Sequence, residues 1–151
     1  MKKQIRIRVA GIALNEKNEL LLVNHQKKGR SYWLFPGGGV EYGETAVQAL
    51  KREFKEELSV SRLSVENLVF INDTVYPDGE RHILNLYFKV KLERGQAVRL
   101  NPERVLKGAE FVTAQKFKKL LFYPDIKSAI LNGWKNGFTK SMGYLKVKFR
   151  K

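Results

Sequence analysis

The sequence predicts an α/β fold. Three observations carry that prediction: apolar residues alternate with period two in several segments, residues 46–58 carry one apolar stripe at helical spacing, and two further helical patterns follow residue 112. At 151 residues with 43% hydrophobic content, the chain suits one domain over 1–151 with its own core.

The elements follow in order. Ile5, Ile7 and Val9 alternate with Arg6 and Arg8 in a strand over 4–14. Asn15-Glu16-Lys17-Asn18 is a turn signal, and 20–23 is a second strand, so the two are expected to pair as a hairpin. Residues 25–31 read as a polar, basic loop, with His25 a loop residue rather than a ligand. Residues 32–35 are extended and stop at Pro36, which disfavours helix in the residue before it. Gly37, Gly38 and Gly39 then form a glycine-rich loop that lets backbone approach a neighbour closely.

Thr45 and Gln48 make a capping-box pair, which starts a helix at Ala46. Val47, Leu50, Phe54 and Leu58 form its core stripe, and Glu53, Glu56 and Glu57 gather on a neighbouring face. Like charges at this spacing cost a helix roughly 0.2–0.5 kcal/mol per pair. A cation among them reverses that sign, and an all-carboxylate set suits Mg²⁺, with Mn²⁺ as the alternative. The other reading of a bare E-x-x-E-E helix is a solvated face balanced by Lys51, Arg52 and Lys55.

Residues 63–76 are mostly extended, Pro77-Asp78-Gly79 is a turn, and 82–92 return as a strand. Its expected core face is His82, Leu84, Leu86, Phe88, Val90 and Leu92, with His82 at the strand mouth. A strand over 105–112 precedes a helix capped by Thr113 with Phe117, Leu120 and Leu121 as its stripe. A second helix after Pro124 carries Ile126, Ala129, Ile130 and Trp134. The tail over 144–151 alternates Leu145, Val147 and Phe149 with basic residues and reads as a last strand. With Arg6 and Arg8 it is expected to build one basic surface; the alternative is an edge strand protected by lysine.

Charge and cysteine usage narrow the function classes. Twenty-nine basic against 15 acidic residues give +14, which favours phosphate-rich or nucleic-acid partners. The absence of cysteine excludes disulfides and thiolate metal sites and is compatible with the cytoplasm, the expected location. No apolar run suits a signal peptide or a membrane span, so no membrane partner is expected.

From Gly38 the chain reads G-x5-E-x7-R-E-F-x-E-E-x-S-V, through Glu44, Arg52, Glu53, Phe54, Glu56, Glu57, Ser59 and Val60. This resembles the box of the Nudix (MutT-like) hydrolase family, departing from it only at Ser59, where the family has glycine. The flanking Trp33-Leu34-Phe35-Pro36 also resembles that family. The resemblance implies an α/β/α sandwich: a mixed central sheet with helices on both faces. It also implies metal-dependent hydrolysis of a diphosphate bond joining a nucleoside to another moiety. On that resemblance Glu53, Glu56 and Glu57 are the metal residues, with Glu53 either a ligand or the base. Arg52 orients the carboxylates, Glu44 supports them, and Gly37, Gly38 and Gly39 shape a floor under the substrate diphosphate.

One further acid from outside the box is expected among Glu41, Glu80, Glu103 and Glu110, and Tyr32, Tyr76 and Tyr87 are candidates for stacking a base or for packing. Expected substrates are nucleotide-type small molecules, with the 5′ end of RNA among the options. The oligomeric state is left open, with a homodimer one option. The alternative function is a non-catalytic Nudix-fold module that senses nucleotides or binds nucleic acid.

Overall fold

In the computed structural model, which describes residues 2–147, two sheets fill the middle of the molecule and helices cover them from both sides. The strands are β1 (Arg6–Ala13), β2 (Leu20–Lys27), β3 (Arg30–Leu34), β4 (Gly37–Gly39), β5 (Leu63–Val75), β6 (His82–Leu92), β7 (Gly108–Val112) and β8 (Gly143–Tyr144). The helices are α1 (Ala46–Leu58), α2 (Ala114–Lys119) and α3 (Lys127–Trp134). One sheet is mixed and runs β4-β1-β6-β5-β8, with β1 parallel to β6 and antiparallel to β4; the other is antiparallel and runs β3-β2-β7. This is the expected α/β arrangement of mixed sheet and helices.

The layering follows from alternation. Val9, Ala13, Leu21 and Val23 pack with Ala49, Leu50, Phe54 and Leu58 of α1. The intervening Ala10, Ile12, Leu20 and Leu22 pack on the opposite side with Phe117, Ile130 and Trp134 from α2 and α3. β1 and β2 are therefore covered on both faces, which is why their sequence runs turn uniformly apolar. Among the described residues no helix is long and apolar enough to cross a membrane.

Several expectations are corrected. β1 and β2 do not pair as a hairpin: they belong to different sheets, and the residue after β1, Leu14, makes an isolated antiparallel bridge to Leu20. Residues 25–31 are not a loop, because β2 continues to Lys27 and turns directly into β3. The glycine run is not a loop either but β4, a short edge strand paired with Arg8, Val9 and Ala10. β6 is buried on both faces, so Asn85 and Tyr87 are buried along with Val90. In α1 Ala49 takes the core position expected of Val47, which is 38% exposed. Leu120 and Leu121 fall beyond α2, and Leu121 is exposed.

The described part of the tail forms only the two-residue β8, parallel to β5; residues 148–151 of the expected strand lie outside the described residues. β8 is separated from β1 by β5 and β6, so the terminal strands are not neighbours.

Candidate active site

The site begins with how α1 is started. Thr45 Oγ1 accepts from the Gln48 amide at 3.1 Å, and Gln48 Oε1 accepts from the Thr45 amide at 2.8 Å. This reciprocal cap fixes the helix register. Leu50, Phe54 and Leu58 then lock into the core with no exposed surface, which turns Glu53 inward until it is only 8% exposed. Gly38 lies against that carboxylate, while Gly37 lies against the β1 backbone, where a Cβ would stand 1.9 Å from Val9 O. Both glycines are required by close approach rather than by turn geometry.

Arg52 is the hub. Its Nε and Nη2 donate to Glu44 at 3.0 and 2.6 Å, a two-pronged pair that uses the planar fork of the guanidinium. Nη1 donates to Glu53 Oε1 at 2.8 Å and to Glu56 Oε2 at 3.3 Å, and Nη2 reaches Gly39 O at 3.0 Å. One guanidinium thus ties the glycine strand, the loop before α1 and two helix carboxylates together. The Arg52 hydrogen bonds, then the Glu41 amide, hold the Glu44 carboxyl down at about 2. Glu44 and then Glu53 hold the Arg52 guanidinium well above its ordinary value.

Glu57 is the opposite case. Burial, then the negative charge of Glu53, pushes its carboxyl up to about 7, while Arg8 and Arg104 act in the other direction. Glu56 Oε2 also takes an ion pair from Arg104. The segment carrying Arg104 is fastened to the end of α1: the Asn101 amide donates to Glu57 O at 3.0 Å and Asn101 Nδ2 to Glu56 O at 3.0 Å. These bonds satisfy carbonyls that a helix end leaves unpaired.

Among the described residues no three acidic or histidine side chains converge on one ion position, and Arg52 and Arg104 pair with Glu53 and Glu56. The donor chemistry fits a hard divalent ion nonetheless. It offers carboxylate oxygens alone, and Glu57 is destabilised as an anion by burial and by Glu53, a cost that a cation reverses.

A model of the NUDIX domain matches residues 4–132. The chain belongs to the Nudix family. Solved structures agree in fold: a MutT protein from Methanosarcina mazei Go1 superposes with a TM-score of 0.71 at 19% identity, covering 93% of this chain and 99% of that one. A NUDIX hydrolase from Nitrosomonas europaea gives 0.72 at 18%, covering 92% and 94%. Among curated relatives, mRNA-decapping protein D10 of Fowlpox virus is 28% identical over 129 residues, 82% of this chain and 57% of its own length. An RNA pyrophosphohydrolase of Francisella tularensis is 38% identical over 72 residues, 48% of this chain and 45% of its own. The chain spans about half the length of these two relatives.

The fold thus brings the Nudix-box residues Glu44, Arg52, Glu53 and Glu56 into one bonded array, with Glu57 electrostatically coupled to it. Of the acids outside the box, Glu80 pairs with Lys3 and Glu110 with Lys116, Glu103 is exposed, and the Glu41 backbone amide donates to Glu44. Tyr87 is a packing residue, fully buried and stacked on Phe70.

Three features escaped the sequence reading. Arg8 donates to Phe35 O at 2.9 Å and its charge acts on Glu57, His25 and Tyr32; its register opposite Gly39 follows only once β4 is known to be a strand. His25 is half-buried on β2, its rings stacked with Tyr32 at 5.6 Å, and Tyr32 meets Tyr123 edge-on at 5.4 Å. Burial first, then Arg8, lowers the His25 pKa. Arg104 lies 48 residues from Glu56, and no spacing rule connects them.

Proposed function

We propose that this Nudix protein is a divalent-metal-dependent pyrophosphohydrolase that cleaves the diphosphate linkage of a nucleoside diphosphate derivative. The observation that supports it is the Arg52-centred array, in which one guanidinium aims Glu44, Glu53 and Glu56 beside the destabilised Glu57. The +14 charge, and relatives whose names refer to RNA decapping and RNA pyrophosphate hydrolysis, favour the 5′ end of RNA over small nucleotides.

Glu53, Glu56 and Glu57 would hold Mg²⁺ or Mn²⁺. When bound, the ion supplies charge neutralisation of the diphosphate and activation of water. The chain's own residues do the rest. Arg52 and Glu44 restrict the carboxylates to one arrangement, so little ordering is left for the reaction. Gly38 and Gly39 would present backbone without side chains to the substrate diphosphate, whereas Gly37 is buried against β1. Glu53, with Oε1 taken by Arg52, would either complete the metal set or take the proton at Oε2.

The test is a panel of nucleoside diphosphate compounds and 5′-triphosphorylated RNA with Mg²⁺ or Mn²⁺, with products read by mass. The expected result is metal-dependent cleavage of the diphosphate, abolished in Glu56→Gln. No product from any substrate, binding without turnover, or full turnover by Glu56→Gln would overturn the proposal.

A further inference from the structure

The metal site proposed above contains a cation of its own. Glu56 Oε2 receives two guanidinium groups, Arg52 Nη1 at 3.3 Å and Arg104 Nη2 in direct ion-pair contact. The two arginines differ in how they are held. Arg52 is three-quarters buried and fixed by Glu44, Glu53 and Gly39 O as well. Arg104 has a 42% exposed side chain, and Glu56 is its one salt-bridge partner among the described residues. Its backbone stays docked on α1 independently, through Asn101 and through the Arg99 amide on Leu58 O at 2.9 Å. The Arg104 side chain can therefore leave Glu56 without releasing the segment that carries it.

Charge explains why a guanidinium sits there. Glu53, Glu56 and Glu57 occupy one helix face, and Arg52 is already shared with Glu44. Arg104 supplies the missing positive charge at Glu56, and its field reaches Glu57 too. A divalent ion on these carboxylates draws on the same negative charge and does the same electrostatic work. The Arg104 guanidinium and a divalent ion held at one carboxylate repel one another.

We infer that Arg104 is a built-in competitor for the divalent ion at Glu56: it holds that carboxylate in the ion-free protein and is displaced when the ion binds. The inference rests on the reading of Glu53, Glu56 and Glu57 as the metal set. Arg104 thereby sets metal affinity, acting through Glu56, and is a positioning residue rather than a catalytic one.

The test is Mn²⁺ affinity, measured by electron paramagnetic resonance of free Mn²⁺ at low salt with no substrate present. Variants are Arg104→Gln, Arg104→Lys and, as a control for net charge on the same segment, Arg99→Gln. Arg104→Gln is expected to bind Mn²⁺ about threefold to fivefold more tightly than wild type, the range that exposed ion pairs reach. Arg104→Lys and Arg99→Gln are expected to stay within about twofold, and thermal melts of all three confirm folding. Equal affinity in wild type and Arg104→Gln, weaker binding by Arg104→Gln, or the same gain from Arg99→Gln would overturn this inference alone. Absence of Mn²⁺ binding by every variant would overturn the metal reading and this inference with it.

Discussion

Gly38 and Glu53 are in contact so close that no other residue fits between them: a Cβ on Gly38 would stand 2.3 Å from Glu53 Cδ and 2.5 Å from its Oε1. The carboxylate cannot simply swing away, because Arg52 holds Oε1 at 2.8 Å. Gly38→Ala must therefore displace Glu53 or part β4 from α1. Misplacing a catalytic group by about 1 Å costs on the order of 10²-fold in rate. Turnover in the proposed pyrophosphohydrolase reaction is expected to fall by about that factor. Gly108→Ala, outside the box, is the control, since its Cβ meets nothing nearer than Asn24 Cβ at 3.6 Å. A Gly38→Ala variant with the activity of Gly108→Ala would show that Glu53 need not stay where it is.

The box could be read from sequence because its determinants are local. The Thr45–Gln48 cap, the spacing of Leu50, Phe54 and Leu58, and the inward turn of Glu53 all follow from one helical period. What could not be read is how strands divide between sheets. Leu14 and Leu20 flank a turn signal that suits a hairpin, yet the chain crosses from one sheet to the other there. Alternation says which residues share a face and not which strand lies alongside. Arg8 and Arg104 were missed for the same reason: their roles depend on β1 lying beside Gly39 and on Asn101 docking under α1.

Ser59 is the one departure from the Nudix box, and it sits at φ 56°, ψ 27°, in the left-handed region. A residue with a Cβ pays roughly 1–2 kcal/mol there, part of which is returned by its stiffer unfolded chain. Ser59→Gly is expected to stabilise by about 0.5–1 kcal/mol and to raise Tm by about 2–3 °C for a domain of this size. Because Ser59 offers no bond to the carboxylates, kcat should not change. A lower Tm would mean that the side chain makes a contact worth more than the backbone strain.

Glu57 makes stability depend on pH in the metal-free protein. Its carboxyl rises from an ordinary 4.5 to about 7 on folding, so the folded state binds the proton more tightly than the unfolded chain. That contribution is fully present below pH 4.5 and is lost as pH rises through about 7. At most it amounts to about 3 kcal/mol, from 1.36 kcal/mol per unit. Glu57→Gln removes the penalty. In EDTA its Tm should exceed wild type by up to about 6–12 °C at pH 8 and approach it near pH 4.5. Saturating Mg²⁺ should reverse the order at pH 8, because wild type then gains an ion that the amide holds poorly. Parallel pH profiles for the two proteins in EDTA would show that Glu57 is not destabilised by folding.

Arg52→Lys separates charge from geometry at the hub. A lysine keeps the positive charge but offers one compact ammonium in place of a planar fork. It can approach Glu44 or Glu53, but cannot reproduce the two-pronged bond to Glu44 at 3.0 and 2.6 Å together with the bonds to Glu53 and Gly39 O. The hydrogen bonds from Arg52 are the largest cause of the low Glu44 pKa, so the substitution should raise that carboxyl from about 2 toward 4.5. Carbon-13 titration of the Glu44 carboxyl reads this directly, without any substrate. If the fork is also what aims Glu53 and Glu56, kcat should fall by about 10²-fold with KM little changed, since the lost interaction orders the enzyme rather than binding the nucleotide. A lysine enzyme in which Glu44 still titrates near 2 and kcat is retained would mean that a point charge at this position is sufficient, and that the planar fork contributes nothing to catalysis.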